Sequence, residues 1–383
     1  MGLPLRAASA LAAASLVALL TPGTAVAAAP PRLGQLKKIK AGSWIIADAG
    51  TGKVLAAKNP HKRFLPASTQ KVLTAVTLIP LLGADTAIKP TEETCYPEGT
   101  KVGMTPKLTY KAADLFRALL MVSANDAAMS LTIPQGGLEP TLDLMNAEAK
   151  RLGANDTLAG SPNGLDVDLG LSVKTQYTTS YDLAVILRQG LTIPEFVEYS
   201  QTNDATFPAL RPAKVDKETK KKTKAKKYKM PIYSHIRMLP TQSQAYDGFL
   251  AGKNGYTNAA RQTFVGAAER DGRTIIIALM AADSLWDNAK TLFDWGFKNA
   301  DLAEPVESLP AQPSPEPTGL AAGPDATTAA APSPDDSEAT VPLVLAGVGG
   351  GFAVTAGAAV LVIRRRRKPA PVPGPGPGPG PLD

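Results

Sequence analysis

Residues 66–71 have the sequence Pro66-Ala67-Ser68-Thr69-Gln70-Lys71 and begin a run of apolar residues at helical spacing that continues to Leu78. Because Ser68 and Lys71 are three residues apart, a helix places both side chains on one face, where they can touch. A serine hydroxyl beside an amine has a route to activation, since a neutral lysine can accept the hydroxyl proton. Burial or a neighbouring positive charge would depress the lysine pKa. The alternative is a serine helix cap followed by a solvated lysine, but 68–71 is the only S-x-x-K in the chain.

The segments on either side predict strands near both ends of a folded body and helices between them. A hairpin is expected over Ser43–Pro60, and a second strand pair over Thr263–Ala268 and Thr274–Met280. Helical spacing also marks Lys111–Val122 and Ser284–Phe297. Strands from both ends of the body would share one sheet, which is an α+β arrangement.

Two short motifs follow the Ser-Lys pair along the chain. Ser123-Ala124-Asn125 comes directly after the predicted helix 111–122, where a hydroxyl and an amide can point into one cleft. Ser161-Pro162-Asn163 has the same spacing, but we prefer Ser123 because a helix would hold it rigidly. Lys253-Asn254-Gly255 would offer substrate a positive charge and an uncluttered backbone, whereas Lys101-Val102-Gly103 precedes Ser123 and so has the wrong order.

S-x-x-K, S-x-N and K-x-G in this order resemble the motifs of the serine penicillin-recognising enzymes. More narrowly, the chain resembles the D-alanyl-D-alanine carboxypeptidases, which are low-molecular-mass penicillin-binding proteins. The resemblance covers about residues 40–300 and includes residues 49–55, 161–166, 181–184 and 294–297. It implies the β-lactamase/transpeptidase-like fold, an antiparallel sheet flanked by helices.

The resemblance also implies a mechanism. Ser68 would form the acyl-enzyme, Lys71 would act as general base, and Ser123 would relay protons. Backbone N–H groups of Ser68 and Tyr256 would form the oxyanion hole. Water would complete the reaction and release the terminal D-Ala from peptidoglycan stem peptides, and penicillins would acylate the same serine. No cofactor or metal ion is implied. The substrate-binding residues implied are Asn125, Lys253, Asn254, Gly255, Tyr256 and Thr257.

One departure from the family pattern concerns the third motif, where Asn254 stands in place of the usual Thr. Loss of one hydroxyl contact costs about 1–3 kcal/mol, although Thr257 could supply a hydroxyl instead. This departure leaves open a catalytically weak or silent wall-binding homologue. A penicillin-hydrolysing enzyme would need a deacylating glutamate, which the loop at 161–166 lacks, and a transpeptidase would differ only in its acyl acceptor.

The ends of the chain predict export and anchoring. Residues 1–29 have one positive charge, a short apolar stretch and small residues, which are typical of a signal peptide, with an uncleaved anchor as the alternative. Val341–Ile363 is an uncharged run of 23 residues, long enough to span a membrane, and the basic residues 364–368 should remain cytoplasmic. The prediction is a catalytic domain over 40–300, a Pro/Ala-rich linker over 304–340, a transmembrane helix over 341–363 and a cytoplasmic tail over 364–383. It places the catalytic domain outside a cell membrane, on the surface of a Gram-positive cell.

The formal net charge of +7 is concentrated in two places. Residues 214–229 carry nine lysines with Asp216 and Glu218, a local +7, and residues 364–368 carry +5, so the remainder is −5. A mildly acidic body gives no support for nucleic-acid binding. A Lys-rich insertion is assigned to 211–231. Its segment 214–229 is interpreted as solvated and mobile, and the sharper hypothesis is that 214–229 contacts anionic wall polymers or phospholipid headgroups.

Overall fold

The computed structural model describes residue 2 and residues 33–166, 169–215 and 222–312. The predicted signal peptide (residue 2 aside), the transmembrane helix, the cytoplasmic tail and residues 313–340 of the predicted linker lie outside these residues. Within the described ranges, no helix is both long enough and apolar enough to cross a membrane.

The described residues form the following strands and helices, with most of the helices between the early and the late strands. The strands in the described residues are β1 (Ser43–Asp48), β2 (Lys53–Lys58), β3 (Ala87–Ile88), β4 (Tyr110–Lys111), β5 (Asp204–Arg211), β6 (Lys214–Val215), β7 (Lys222–Thr223), β8 (Lys226–Tyr233), β9 (Phe249–Thr257), β10 (Arg261–Arg270), β11 (Arg273–Ala282) and β12 (Glu307–Ser308). The α-helices are α1 (Gln70–Leu78), α2 (Glu92–Cys95), α3 (Ala112–Met121), α4 (Asn125–Ser130), α5 (Leu138–Leu152), α6 (Ser180–Gly190), α7 (Pro194–Gln201) and α8 (Trp286–Asn299).

One antiparallel sheet of six strands organises the body, in the order β12-β2-β1-β11-β10-β9. Because side chains alternate across a strand, β1 contributes to two cores. Ile45 and Ala47 pack with helices α1, α3 and α6 on one face, while Trp44 and Ile46 pack with α8 on the other. The sheet is covered on both faces, which explains why β1 is buried at every position.

The predicted α+β arrangement, with one sheet built from both ends of the body, is confirmed. The predicted hairpin corresponds to β1 and β2, which lie within its predicted bounds, and the late strand pair to β10 and β11, which extend one or two residues beyond each predicted end. The helix expected over 67–78 begins as a 3-10 turn, Ala67–Thr69, and continues as α1.

The predicted linker begins later than residue 304. Residues 307–308 form β12 on the edge of the sheet, and backbone hydrogen bonds join Val306 to Val54 and Leu309 to Gly52. The guanidinium of Arg188 donates to the carbonyl of Pro310 at 2.9 Å. The Pro content of this segment suggested an unpacked spacer, but its backbone groups complete the edge of β2, so the body extends to residue 312.

Most of the described residues of the predicted insertion 211–231 form paired strands. Strand β8 pairs with β5 over eight residue pairs, and β6 pairs with β7 beyond them. Phe207 and Met230 lie opposite each other on one face, with Ala205 opposite Ile232, and this apolar alternation anchors the base of the hairpin. The apolar alternation could not be recognised within the lysine-rich sequence, because it becomes evident only from the pairing of β8 with β5.

Candidate active site

The nucleophile candidate Ser68 lies on the short 3-10 turn that precedes α1. The residue before it, Ala67, is fully buried and has φ of +46°, in the left-handed region that non-glycine residues rarely adopt. Such strain persists only where the surroundings fix the backbone. Two contacts do so here, because Thr263 Oγ1 donates to the carbonyl of Pro66 at 2.9 Å and strand β9 passes against the turn.

Gly255 makes that close passage feasible. A Cβ atom at this position would lie 2.6 Å from the backbone nitrogen of Ser68 and 2.6 Å from Thr263 Oγ1. Strand β9 therefore approaches the nucleophile more closely than any side chain allows. From the sequence, Gly255 was expected to provide an uncluttered backbone against which substrate lies, whereas in the structure the space that a Cβ would fill is taken by the Ser68 turn and Thr263.

Lys71 is fully buried, and its amine has three oxygen neighbours. Its Nζ lies 3.0 Å from Ser68 Oγ, 2.7 Å from Asn125 Oδ1 and 2.6 Å from the carbonyl oxygen of Asn163. Burial lowers the pKa of Lys71 well below its usual range, and the charge of Lys253 lowers it further, while Asp126 opposes both effects.

The three oxygen atoms around Lys71 Nζ determine the direction of the lone pair when the amine is neutral. The oxygens from Asn125 and Asn163 can only accept hydrogen bonds, so each takes one N–H of the neutral amine. Only the Ser68 hydroxyl can donate in return. The arrangement thus directs the lone pair at the hydroxyl proton, which is the requirement for a general base acting on a serine nucleophile.

The second predicted motif reaches the same site by a different route from the one expected. Helix α3 ends at Met121, and Ser123, with φ of +62°, lies in the short connection before α4, so the expectation that a helix holds Ser123 was wrong. Asn125 opens α4, where its Oδ1 accepts from Lys71 and its Nδ2 donates to the carbonyl of Glu98 at 2.7 Å. In this structure Asn125 therefore contacts the Lys71 amine, and its Nδ2 carries a second N–H besides the one that it gives to Glu98.

Lys253 lies in the middle of β9 and is fully buried. Its Nζ donates to the carbonyl of Asn254 at 2.8 Å, and burial lowers its pKa to about 7. Lys253 pairs in register with Val265, a member of the core on the α1 face, so its side chain belongs to the face of the sheet that carries Ser68 and Lys71.

The structure places the side chains of three further predicted substrate-binding residues, Asn254, Thr257 and Tyr256, as follows. Asn254 lines a polar cavity of about 870 Å³, and its Oδ1 is buried with no hydrogen-bond partner in the described part of the chain. The hydroxyl of Thr257 donates to Asp166 Oδ2 at 2.6 Å and accepts from Ala260, so it links β9 to the 161–166 loop and is not free to replace the family's threonine. The side chain of Tyr256 is 61% exposed.

The sequence reasoning missed the part that the loop 161–166 has in the site. Gly164, with φ of +82°, lies so close to the 3-10 turn that a Cβ there would overlap the carbonyl oxygen of Ala67. Ser161, the rejected alternative to Ser123, donates to Gln176 Oε1 at 2.7 Å and accepts from Gly164 N, so it shapes this loop. In the sequence, the second S-x-N motif, Ser161-Pro162-Asn163, was the signal that could have pointed to Asn163.

Asp126 is a further residue without an assigned role in the sequence reasoning. Its carboxylate is fully buried and accepts four backbone N–H groups, those of Val102, Gly103, Met104 and Ala127. This nest holds a negative charge near Lys71 and fixes the 102–104 segment against the start of α4.

A serine hydroxyl in contact with a buried lysine amine, beside the edge strand of an antiparallel sheet, is the arrangement of a serine acyl-transfer enzyme of the β-lactamase/transpeptidase-like fold. Comparison with known proteins agrees with this class. The model of peptidase family S11, D-alanyl-D-alanine carboxypeptidase, matches residues 25–284, and the chain belongs to this family.

Among curated proteins, the chain is 37% identical to the D-alanyl-D-alanine carboxypeptidase DacB2 of Mycobacterium tuberculosis, over 67% of this chain and 81% of that protein. Among solved structures, a D-alanyl-D-alanine carboxypeptidase from Mycobacterium tuberculosis superimposes with a TM-score of 0.62 at 36% identity, covering 74% of this chain and 98% of that one. Penicillin-binding protein D2 of Listeria monocytogenes, in its ampicillin-bound form, has a TM-score of 0.55 at 25% identity, covering 70% and 100%. The chain is therefore a serine D-Ala-D-Ala peptidase and a hydrolase of the peptidoglycan, and these similarities do not favour a silent wall-binding homologue.

Proposed function

We propose that Ser68 attacks the carbonyl carbon of the penultimate D-Ala in a peptidoglycan stem peptide and forms the acyl-enzyme. Lys71 takes the hydroxyl proton, and Ser123 passes a proton to the leaving amine, which departs as D-Ala. Water then releases the shortened peptide. The observation that carries this proposal is the 3.0 Å contact between Lys71 Nζ and Ser68 Oγ, with the two other neighbours of Nζ able only to accept.

The substrate is expected to lie along β9. Lys253 would contact the terminal carboxylate, Asn125 would hold a substrate amide with its remaining N–H, and the backbone N–H groups of Ser68 and Tyr256 would bind the oxyanion. A single oxyanion donor is worth about 3–4 kcal/mol in comparable enzymes. Asn254, in place of the family's threonine, would weaken carboxylate recognition by the loss of one hydroxyl contact, about 1–3 kcal/mol, without abolishing it.

Fluorescent penicillin tests this proposal, since a β-lactam would acylate the same serine. We expect one covalent label on the peptide that contains Ser68, no label in Ser68→Ala, and release of D-Ala from a pentapeptide ending in D-Ala-D-Ala. A folded wild-type protein that takes up no label would contradict the assignment of Ser68. Label without D-Ala release would contradict the substrate assignment alone.

We also propose that the body is exported by residues 1–29 and anchored by Val341–Ile363, with Arg364–Lys368 on the cytoplasmic side. The support is the 23-residue uncharged run followed directly by five cationic residues. In a Gram-positive host, the full chain should sediment with membranes, and a chain ending at Thr340 should appear in the medium. Membrane sedimentation of both chains in equal amounts would contradict the anchor.

The hairpin formed by β5 and β8 is proposed to contact anionic wall polymers. Lys224, Lys226, Lys227 and Lys229 are all exposed on it. A charge-based contact weakens with salt, and each lysine near an anionic surface contributes about 1 kcal/mol. Replacing these four lysines with glutamine should reduce co-sedimentation with purified wall polymer at low salt.

The matched control for the hairpin variant replaces four exposed lysines elsewhere on the body with glutamine, namely Lys37, Lys38, Lys53 and Lys298. It therefore makes the same change in net charge. Equal losses in both variants would show that net charge alone acts. Retention of binding by the hairpin variant, or binding to anionic vesicles in place of wall polymer, would contradict the proposal.

A further inference from the structure

Asn163 has an unused hydrogen-bond donor beside the general base. The residue is 1% exposed, and its side-chain nitrogen Nδ2 is buried without a hydrogen-bond partner among the described residues. Buried amide nitrogens are rarely left unpaired, and an exception calls for a ligand, a water molecule or a catalytic use. The orientation of the amide is fixed, because Oδ1 accepts from the backbone nitrogen of Leu165 at 2.9 Å.

The position of Asn163 relative to Lys71 is equally well fixed. The carbonyl oxygen of Asn163 accepts from Lys71 Nζ at 2.6 Å, so the free amide nitrogen belongs to a residue in direct contact with the base. Gly164 packs against Ala67, the residue before the nucleophile, and Thr257 ties Asp166 to β9. These contacts hold the loop on both sides of Asn163.

The acyl-enzyme creates a need for such a donor. Before acylation, the Ser68 hydroxyl faces the lone pair of Lys71, but once Ser68 is an ester its oxygen has no proton to donate. The lone pair then requires another donor, and deacylation requires a water molecule at that place. The glutamate that would hold this water in a penicillin-hydrolysing enzyme is absent from the loop Ser161-Pro162-Asn163-Gly164-Leu165-Asp166, and the carboxylate of Asp166 accepts from Thr257.

We propose that Asn163 Nδ2 donates a hydrogen bond to the hydrolytic water and holds it between the Ser68 ester and Lys71. This inference rests on the proposed acyl-enzyme at Ser68. The water oxygen attacks the ester carbonyl carbon while one water proton passes to Lys71 Nζ. The tetrahedral intermediate collapses by breaking the bond from that carbon to Ser68 Oγ, and Oγ takes the proton back from Lys71, leaving the shortened peptide with a free carboxyl group.

Separate measurement of acylation and deacylation tests the role of Asn163. The rate of labelling by fluorescent penicillin gives acylation, and the loss of label after removal of free penicillin gives deacylation. In Asn163→Ala we expect deacylation to slow by about 10–100-fold while acylation changes by less than about threefold. Asn163→His should recover deacylation, because a neutral imidazole can accept from Leu165 N through Nδ1 and donate through Nε2.

A loop control separates water positioning from loop shape. Asn146 also fixes this loop, since its Oδ1 accepts from the backbone nitrogen of Ala159 at 2.8 Å and its Nδ2 donates to the carbonyl of the same residue. Asn146→Ala should change acylation and deacylation by the same factor. If Asn163→Ala also slows both steps equally, or slows neither, the proposal is overturned.

Interception of the acyl-enzyme by an added amine provides a measurement that does not depend on total activity. Hydroxylamine does not need a water held by Asn163, so the ratio of hydroxamate to hydrolysed product should rise in Asn163→Ala. An unchanged ratio would also overturn the proposal. Absence of any acyl-enzyme in the wild-type protein would instead reject the proposed function of Ser68, and the two failures are thereby distinguished.

Discussion

At the scale of single residues, the site depends on one lysine whose charge is suppressed. Lys71 has no exposed surface and lies in the field of a second buried lysine, Lys253, so both desolvation and like-charge repulsion favour its neutral form. A buried carboxylate, Asp126, limits this effect without contacting the amine. A lowered pKa is what the proposed role of Lys71 as a base requires, because the amine then loses its proton at a lower pH than a surface lysine does.

Removing the base tests its role directly. We expect Lys71→Met to reduce the rate of penicillin acylation by about 10²–10⁴-fold, since general base catalysis contributes a factor of this size. The wild-type rate should rise with pH through the lowered pKa of Lys71, because the amine is protonated below that pKa and neutral above it. Stopped-flow measurement of acylation across pH checks both points, and a rate that falls as pH rises through this range would contradict the assignment.

Lys253 should set the position of that pH profile. In Lys253→Met the repulsion is lost, the pKa of Lys71 rises towards its usual value, and the acid limb of the acylation profile moves to higher pH. Lys298→Met, at an exposed position on α8, is the control and should leave the limb in place. Identical profiles for all three proteins would show that Lys253 has no electrostatic influence on the base.

At the scale of elements, the site is assembled where three segments meet. The 3-10 turn with Ser68, strand β9 and the 161–166 loop touch through Gly255 and Gly164, positions where a side chain would collide with backbone. Thr257 and Asp166 close the contact between strand and loop. Ser68 is therefore positioned by backbone packing, and its strained neighbour Ala67 is held from two sides.

Gly164 offers a test of this packing. Gly164→Ala should lower the free energy of unfolding by about 2–4 kcal/mol and reduce acylation, because a Cβ overlaps the carbonyl of Ala67 and φ is +82°. Gly170, with φ of +72° and no heavy atom within 4 Å of an added Cβ, is the matched control. Gly170→Ala should cost only about 1–2 kcal/mol and leave acylation unchanged. Equal effects of the two substitutions in urea unfolding would rule out the contact.

At the scale of the whole molecule, the two edge strands of the sheet lie beside different parts of the protein. Strand β9 forms the edge beside the nucleophile, and β12 covers the opposite edge, five strands away or about 24 Å at ordinary strand spacing. The end of the described chain is attached by Tyr181, whose hydroxyl donates to the carbonyl of Ser308, and by Arg188. Attachment of the C-terminal segment is thus remote from catalysis.

Truncation of the C-terminal segment tests whether β12 contributes to stability without contributing to acylation. A chain ending at Ala303 loses several backbone and side-chain hydrogen bonds and the buried Leu309, and should be less stable by about 3–5 kcal/mol, with a Tm lower by roughly 10 °C. A chain ending at Gln312 keeps all these contacts and serves as the control. Both chains should acylate at the same rate well below their melting temperatures, and equal Tm values would contradict a structural role for β12.

Several features could be predicted from the sequence because they depend on local order. The spacing of Ser68 and Lys71 along one helical turn predicted their contact, and apolar periodicity predicted β1, β11 and α3. The order of the three motifs pointed to the family, which the comparisons confirm. The position of Ser123 was predicted less well, because its φ of +62° depends on how α3 and α4 pack and not on the residues beside it.

The tertiary structure alone decided the remaining features. The carbonyl of Asn163 reaches Lys71 from 92 positions along the chain, and Gly164 and Gly255 are needed only because distant backbone lies against them. The same holds for the suppressed charge of Lys71 and for β12, whose Pro-rich surroundings indicate no strand. Periodicity reports which face of an element is buried, whereas contacts between backbone atoms far apart in sequence leave no periodic signal, and in this protein those contacts build the site.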